Sequence, residues 1–152
     1  MRRADPRLVA SSLLAVMVLA GCSSGGIPKH EDEAQVRARF GAYAGEPIDR
    51  MTWMGQYYSW EPIGENQLVV FTTPGDAYLL KVWPPCDLRF VINAIGLTST
   101  SHTVHARLDS VTVNSAGTGP GPLRCPIDEI RKVDYKRMRA DMRAQSAAAH
   151  QR

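Results

Sequence analysis

The chain has 152 residues, 44% of them hydrophobic and 22% charged, with a formal net charge of +3. That length allows one domain with tails, and that hydrophobic share excludes a chain disordered throughout. Residues 1–21 hold Arg2, Arg3 and Arg7 against Asp5, a net of +2, so the remainder carries about +1 and is too nearly neutral for bulk nucleic-acid binding.

Met1-Arg2-Arg3 opens a positive segment, and an apolar stretch from Leu8 to Ala20 follows, broken only by Ser11 and Ser12. As a helix its 13 residues would extend roughly 20 Å, short of a ~30 Å hydrocarbon core, so residues 1–21 are expected to be a cleavable export signal. The stretch ends in Leu19-Ala20-Gly21-Cys22. Small residues let an extended backbone enter a peptidase, and the Cys22 thiol is a nucleophile that accepts diacylglycerol. These four residues resemble the lipobox of bacterial lipoproteins. The resemblance implies thioether lipidation of Cys22, cleavage before it and acylation of the new amine. Two or three acyl chains hold a protein on a membrane stably where one is marginal. Ser23 stands where an acidic residue retains Gram-negative lipoproteins at the inner membrane, which implies the outer membrane, facing the periplasm. The residues around Arg2-Arg3 do not fit a twin-arginine signal. Residues 22–30, with Ser23-Ser24-Gly25-Gly26, read as a flexible tether.

A β-rich domain with an N-terminal helix is expected over residues 31–133. Glu31 to Ala44 reads as that helix, with Val36, Phe40 and Tyr43 on one face, acidic residues at its start and Gly45-Glu46-Pro47 ending it. Strand signals begin at Ile48. Trp53 to Trp60 is rich in aromatics, and residues 62–66 supply a turn. Gln67 to Thr72 and Ala77 to Trp83 form the best local prediction, a hairpin closed by Thr73-Pro74-Gly75-Asp76, where Pro and Gly suit a type II turn. Leu88 to Asn93 alternates as a strand, and Gly96 to Ser101 reads as a polar turn. His102 to Val113 alternates again, with Val104, Ala106 and Leu108 on one face. Val111 and Val113 have the opposite parity, so a bulge near Asp109-Ser110 is needed to return them to the core. Residues 114–122 form a Gly/Pro loop. Cys125 to Val133 is a last strand that Pro126 interrupts. The fold class is therefore mainly β: a small antiparallel sheet or partial barrel of about five or six strands, with an N-terminal and a C-terminal helix. The N-terminal helix is the expected cover for one sheet face.

With Cys22 consumed by lipid, Cys86 and Cys125 remain in an oxidising compartment, where a disulfide between them is expected. The spacing of Tyr78-Leu79-Leu80, Cys86, Leu88, Ser99, Asp109, Val111, Val113, Cys125, Ile127 and Ile130-Arg131 resembles a family of small proteobacterial lipoproteins of unknown function, over roughly Glu46 to Asp134. That resemblance implies a small cysteine-bridged envelope domain and carries over no catalytic residue, cofactor or substrate.

Candidate chemistry is sparse. His102 and His105 are three apart, which on a strand puts them on opposite faces and argues against shared metal ligation. Ser99, Ser101, His102, His105 and Asp109 hold the residue types of a hydrolytic triad, but no G-x-S-x-G elbow surrounds either serine. Gly117 to Gly121 lacks the lysine and helix of a phosphate-cradling loop. Trp53, Trp60 and Trp83 are read as core or sheet packing residues, with stacking on a glycan or an aromatic ligand as the alternative. No catalytic, metal or cofactor site is therefore expected. The alternatives to a non-catalytic binding or assembly-accessory module are a small hydrolase using His102 or His105 and a structural envelope protein whose basic tail contacts peptidoglycan or anionic lipid.

Residues 134–152 read as a basic helical tail. From Arg131 onward seven Lys or Arg face only Asp134 and Asp141. Tyr135, Met138 and Met142 form a narrow apolar stripe, and Lys136, Arg137, Arg139 and Arg143 fill the other faces. Two outcomes are open: the stripe docks on the β domain while the cations face water, or the helix contacts peptidoglycan or anionic lipid. Partners are thus the membrane through Cys22 and an envelope protein or peptidoglycan, with no nucleic acid.

Overall fold

The computed structural model describes residues 32–89, 94–113 and 122–151, so Cys22 and its lipobox lie outside the described residues. The first helix, α1 (Glu33–Ala42), starts later than the pattern predicts. Asp32 caps it, accepting the Ala34 N–H at 3.4 Å, and Glu33 lies in the first turn. Val36 and Phe40, one turn apart, are its buried residues.

Tyr43 leaves the helix, and the expected Gly45-Glu46-Pro47 terminator is instead strand β1 (Ala44–Ile48). The strands that follow are β2 (Arg50–Thr52), β3 (Ser59–Gly64), β4 (Gln67–Thr73) and β5 (Asp76–Val82). Then come β6 (Ile95–Leu97), β7 (Thr103–His105), β8 (Ser110–Val113) and β9 (Leu123–Val133), before α2 (Tyr135–His150). The protein is mainly β with a helix at each end, as its sequence predicts. One antiparallel sheet runs β3-β4-β5-β9-β8-β6 and curls into a half-barrel, with β1 also on β9 and β2 paired with β7 as a separate ribbon.

The β4–β5 hairpin forms as predicted, with Val70 opposite Tyr78 and Leu68 opposite Leu80. Its turn is not type II, because Gly75 does not take the positive φ that type requires. Instead the Thr73 hydroxyl accepts the N–H groups of Gly75 and Asp76 at 3.2 and 3.1 Å, a side-chain-closed turn.

Leu68, Val69, Val70 and Phe71 are all buried, because both faces of β4 are covered. On the inner face Leu68, Val70, Leu80, Val82, Ile127 and Ile130 pack with Met51, Trp53 and Val104 of the ribbon region. On the outer face Val69, Phe71, Ala77, Leu79 and Val133 pack with Val36 and Phe40 of α1 and Met138 of α2. The cover is thus both helices and not α1 alone.

β9 is the centre of the sheet. β5 lies on one side of it, from Val82 opposite Ile127 to Ala77 opposite Val133. β8 and β1 take successive stretches of the other side, at 123–126 and 130–133. Pro126 is tolerated there because β5 is ending: Trp83 N–H donates to the Pro126 carbonyl at 3.0 Å, and the N–H that proline lacks would point the same way.

Several expectations fail where long-range pairing decides. Residues 87–89 are not strand, although Leu88 is fully buried, and 90–93 lie outside the described residues, as do 114–121 of the expected loop. The polar turn expected at Gly96 to Ser101 begins as β6, held by pairing with β8. The single strand expected over His102 to Val113 is two strands, separated by a turn through Arg107 at φ 66°. Leu108 is 82% exposed on that turn and not in the core, whereas Val111 and Val113 are buried as expected. Within Trp53 to Trp60 only the end is strand. Gly55 at φ 83° turns the chain, and Trp53 stacks on Tyr57 with ring centres 6.2 Å apart.

Candidate functional site

The residue types of a triad do not assemble into one. Asp109 is buried, and both its carboxylate oxygens are engaged. One accepts the Thr98 hydroxyl at 2.8 Å and the other the His105 backbone N–H at 2.8 Å, so the carboxylate closes the β7–β8 turn instead of orienting an imidazole. The Thr98 oxygen in turn accepts the Ser110 N–H at 2.8 Å. His102 sits exposed in the turn before β7 at φ 59°, off the strand, and His105 is half-buried on it. Ser99 and Ser101 are exposed. Among the described residues no cluster of three or more His, Cys, Asp or Glu is placed to hold a metal ion.

Cys86 and Cys125 form a disulfide, with Cα atoms 5.7 Å apart. Both sulfurs are in the inner core, and the bond ties the segment after the cis Pro84–Pro85 peptide to β9. Beside it, Asp87 has its carboxyl held below the usual range by its hydrogen bond from Arg89 at 2.6 Å.

The tail docks. Tyr135 meets Phe71 edge-on with ring centres 4.9 Å apart, Phe40 meets the same ring at 6.3 Å, and Met138 is 2% exposed. Asp134 caps the helix, accepting the Arg137 N–H at 3.1 Å. Tyr43, at the end of α1, donates its hydroxyl to Asp141 of α2 at 2.8 Å. That bond to a carboxylate, with burial second, raises the Tyr43 pKa above its ordinary value.

The four cations named from the sequence are all exposed but do not act as one patch. The Arg137 guanidinium lies over the Tyr43 ring at 6.0 Å and its Nε is 3.9 Å from Asp141. Lys136 leans over Gly75 in the β4–β5 turn. Arg139 and Arg143 instead line a groove of about 510 Å³ between α1 and α2, which sequence reasoning did not find. Phe40, Phe71 and Met138 are beneath it, and Arg39 and Glu61 line it opposite α2. The spacing of Arg139 and Arg143 at i and i+4 signals a shared face, but the opposite wall is about 100 residues away in sequence.

The chain matches the Family of unknown function (DUF6491) over residues 6–149. It belongs to that family. The DUF6491 match is wider than the cysteine-framed strand pattern, because it takes in Cys22 and its apolar stretch, α1 and nearly all of α2. No curated protein and no solved structure matches the chain significantly.

Proposed function

We propose that the protein is a lipid-anchored module of the bacterial envelope, held by Cys22 on the outer membrane and facing the periplasm, which binds or assists another envelope component without catalysing a reaction. The Leu19-Ala20-Gly21-Cys22 box after a 13-residue apolar stretch carries this reading. A disulfide between Cys86 and Cys125 supports it, since such bonds persist in oxidising compartments. The non-catalytic part is supported by Asp109, the acid nearest the two histidines in sequence, whose carboxylate is used up in closing a turn.

Fractionation tests the anchor. The unaltered protein should be cleaved and membrane-bound, and Cys22→Ser should be released or left unprocessed. A cleaved, membrane-bound Cys22→Ser product sinks the proposal.

A further inference from the structure

The groove between α1 and α2 has chemistry that the anchor alone does not use. Arg139 and Arg143 stand one turn apart on its α2 wall, and Met142 between them is 39% exposed. Arg39 and Glu61 form the opposite side, over a floor that includes Phe40 and Met138. Asp141, the acid of α2, is turned away to Tyr43. Beyond Met138 the helix buries no side chain, so this wall is presented to solvent along its length.

We propose that the groove docks the headgroup of an anionic phospholipid, seating the helical layer against the membrane that carries the anchor. Guanidinium groups donate paired hydrogen bonds to phosphate oxygens, and arginine is more weakly hydrated than lysine. Met142 and the apolar floor meet the glycerol end of the lipid. Chain length favours a membrane over any more distant polymer. Ten residues, 22–31, separate the capped start of α1 from the anchor, a span of at most about 35 Å. The affinity of two arginines is modest, but a tethered protein meets the surface intramolecularly, so modest affinity is sufficient.

The choice of this membrane rests on the anchor reading, while the test does not. It uses the chain from residue 22 carrying Cys22→Ser, which retains every residue of both cores. Co-sedimentation is measured with vesicles of phosphatidylglycerol and phosphatidylcholine, with phosphatidylcholine alone, and with purified peptidoglycan. Binding to the anionic vesicles should fall steeply with added salt. Arg139→Gln with Arg143→Gln should weaken it by up to about 25-fold, fivefold per cation. Arg50→Gln with Arg124→Gln removes the same charge from exposed sites outside the groove and should leave binding near its starting value. Met142→Ser, which keeps the charge, should lower binding without altering the melting temperature. Equal loss from the two arginine pairs, equal binding to neutral vesicles, or binding to peptidoglycan alone overturns the proposal. Groove binding that survives alongside a Cys22→Ser protein still cleaved and membrane-bound in cells would reject the anchor and leave the groove standing.

Discussion

Asp109 is the one buried charged side chain among the described residues, and it is held by donors on both oxygens. Asp109→Ala leaves the Thr98 hydroxyl and the His105 N–H without that acceptor, at about 1–3 kcal/mol for each group that stays buried and unpaired. Asp109→Asn keeps one acceptor oxygen and should fall between. His102→Ala and His105→Ala, at exposed and half-buried positions, should shift stability by no more than about 0.5 kcal/mol. Chemical denaturation of the four variants checks the order. A histidine variant that melts normally yet loses its cellular phenotype would revive the hydrolase reading. The sequence did signal a break at this point, since Val111 and Val113 change parity after Leu108. It could not signal a buried carboxylate, because the Thr98 hydroxyl that satisfies Asp109 comes from a segment next to a different strand.

The helices and the hairpin were readable because their determinants are local: periodicity, acidic residues at the start of the first helix, and two apolar runs around a turn. What joins the two helices was not. Tyr43 sits just past α1, and its partner Asp141 lies 98 residues later in α2. The Tyr43 pKa in the folded protein is raised above the ordinary tyrosine value of about 10. A raised folded value means that this contribution is fully present below pH ~10 and is lost as pH rises through the folded pKa, when a phenolate would face a carboxylate. Tyr43→Phe should therefore lower the melting temperature at neutral pH, and its gap to the unaltered protein should close at strongly alkaline pH. A gap that stays constant across that range would show that the ring, and not its hydrogen bond, holds α2. The pairing of β6 with β8 was equally illegible, because Ile95-Gly96-Leu97 becomes a strand only where Val111 to Val113 is delivered beside it.

Over the whole molecule, one sheet is covered on both sides around β4 and β5, and the disulfide fastens its inner core. Replacing both Cys86 and Cys125 with Ser should cost at most about 4 kcal/mol by chain entropy for a pair 39 apart in sequence. Thermal melts of oxidised, reduced and substituted protein measure it; three coincident curves would show that the bond contributes nothing. The mainly β class was legible from alternation and turn residues, whereas the rank of β9 was not. Pro126 marked it as an interrupted last strand, yet it is the strand to which β1, β5 and β8 all pair. That position has a consequence in time. A chain threaded N-terminus first delivers β9 after every other strand, starting at Leu123. Until then β1, β5 and β8 each lack a neighbour and Cys86 has no partner, although β3, β4 and β5 can pair among themselves and β6 can pair with β8. Closure of the whole sheet is therefore gated by arrival: a chain stalled at residue 122 leaves edges of β1, β5 and β8 open for proteases to find, and one that clears Val133 can join them.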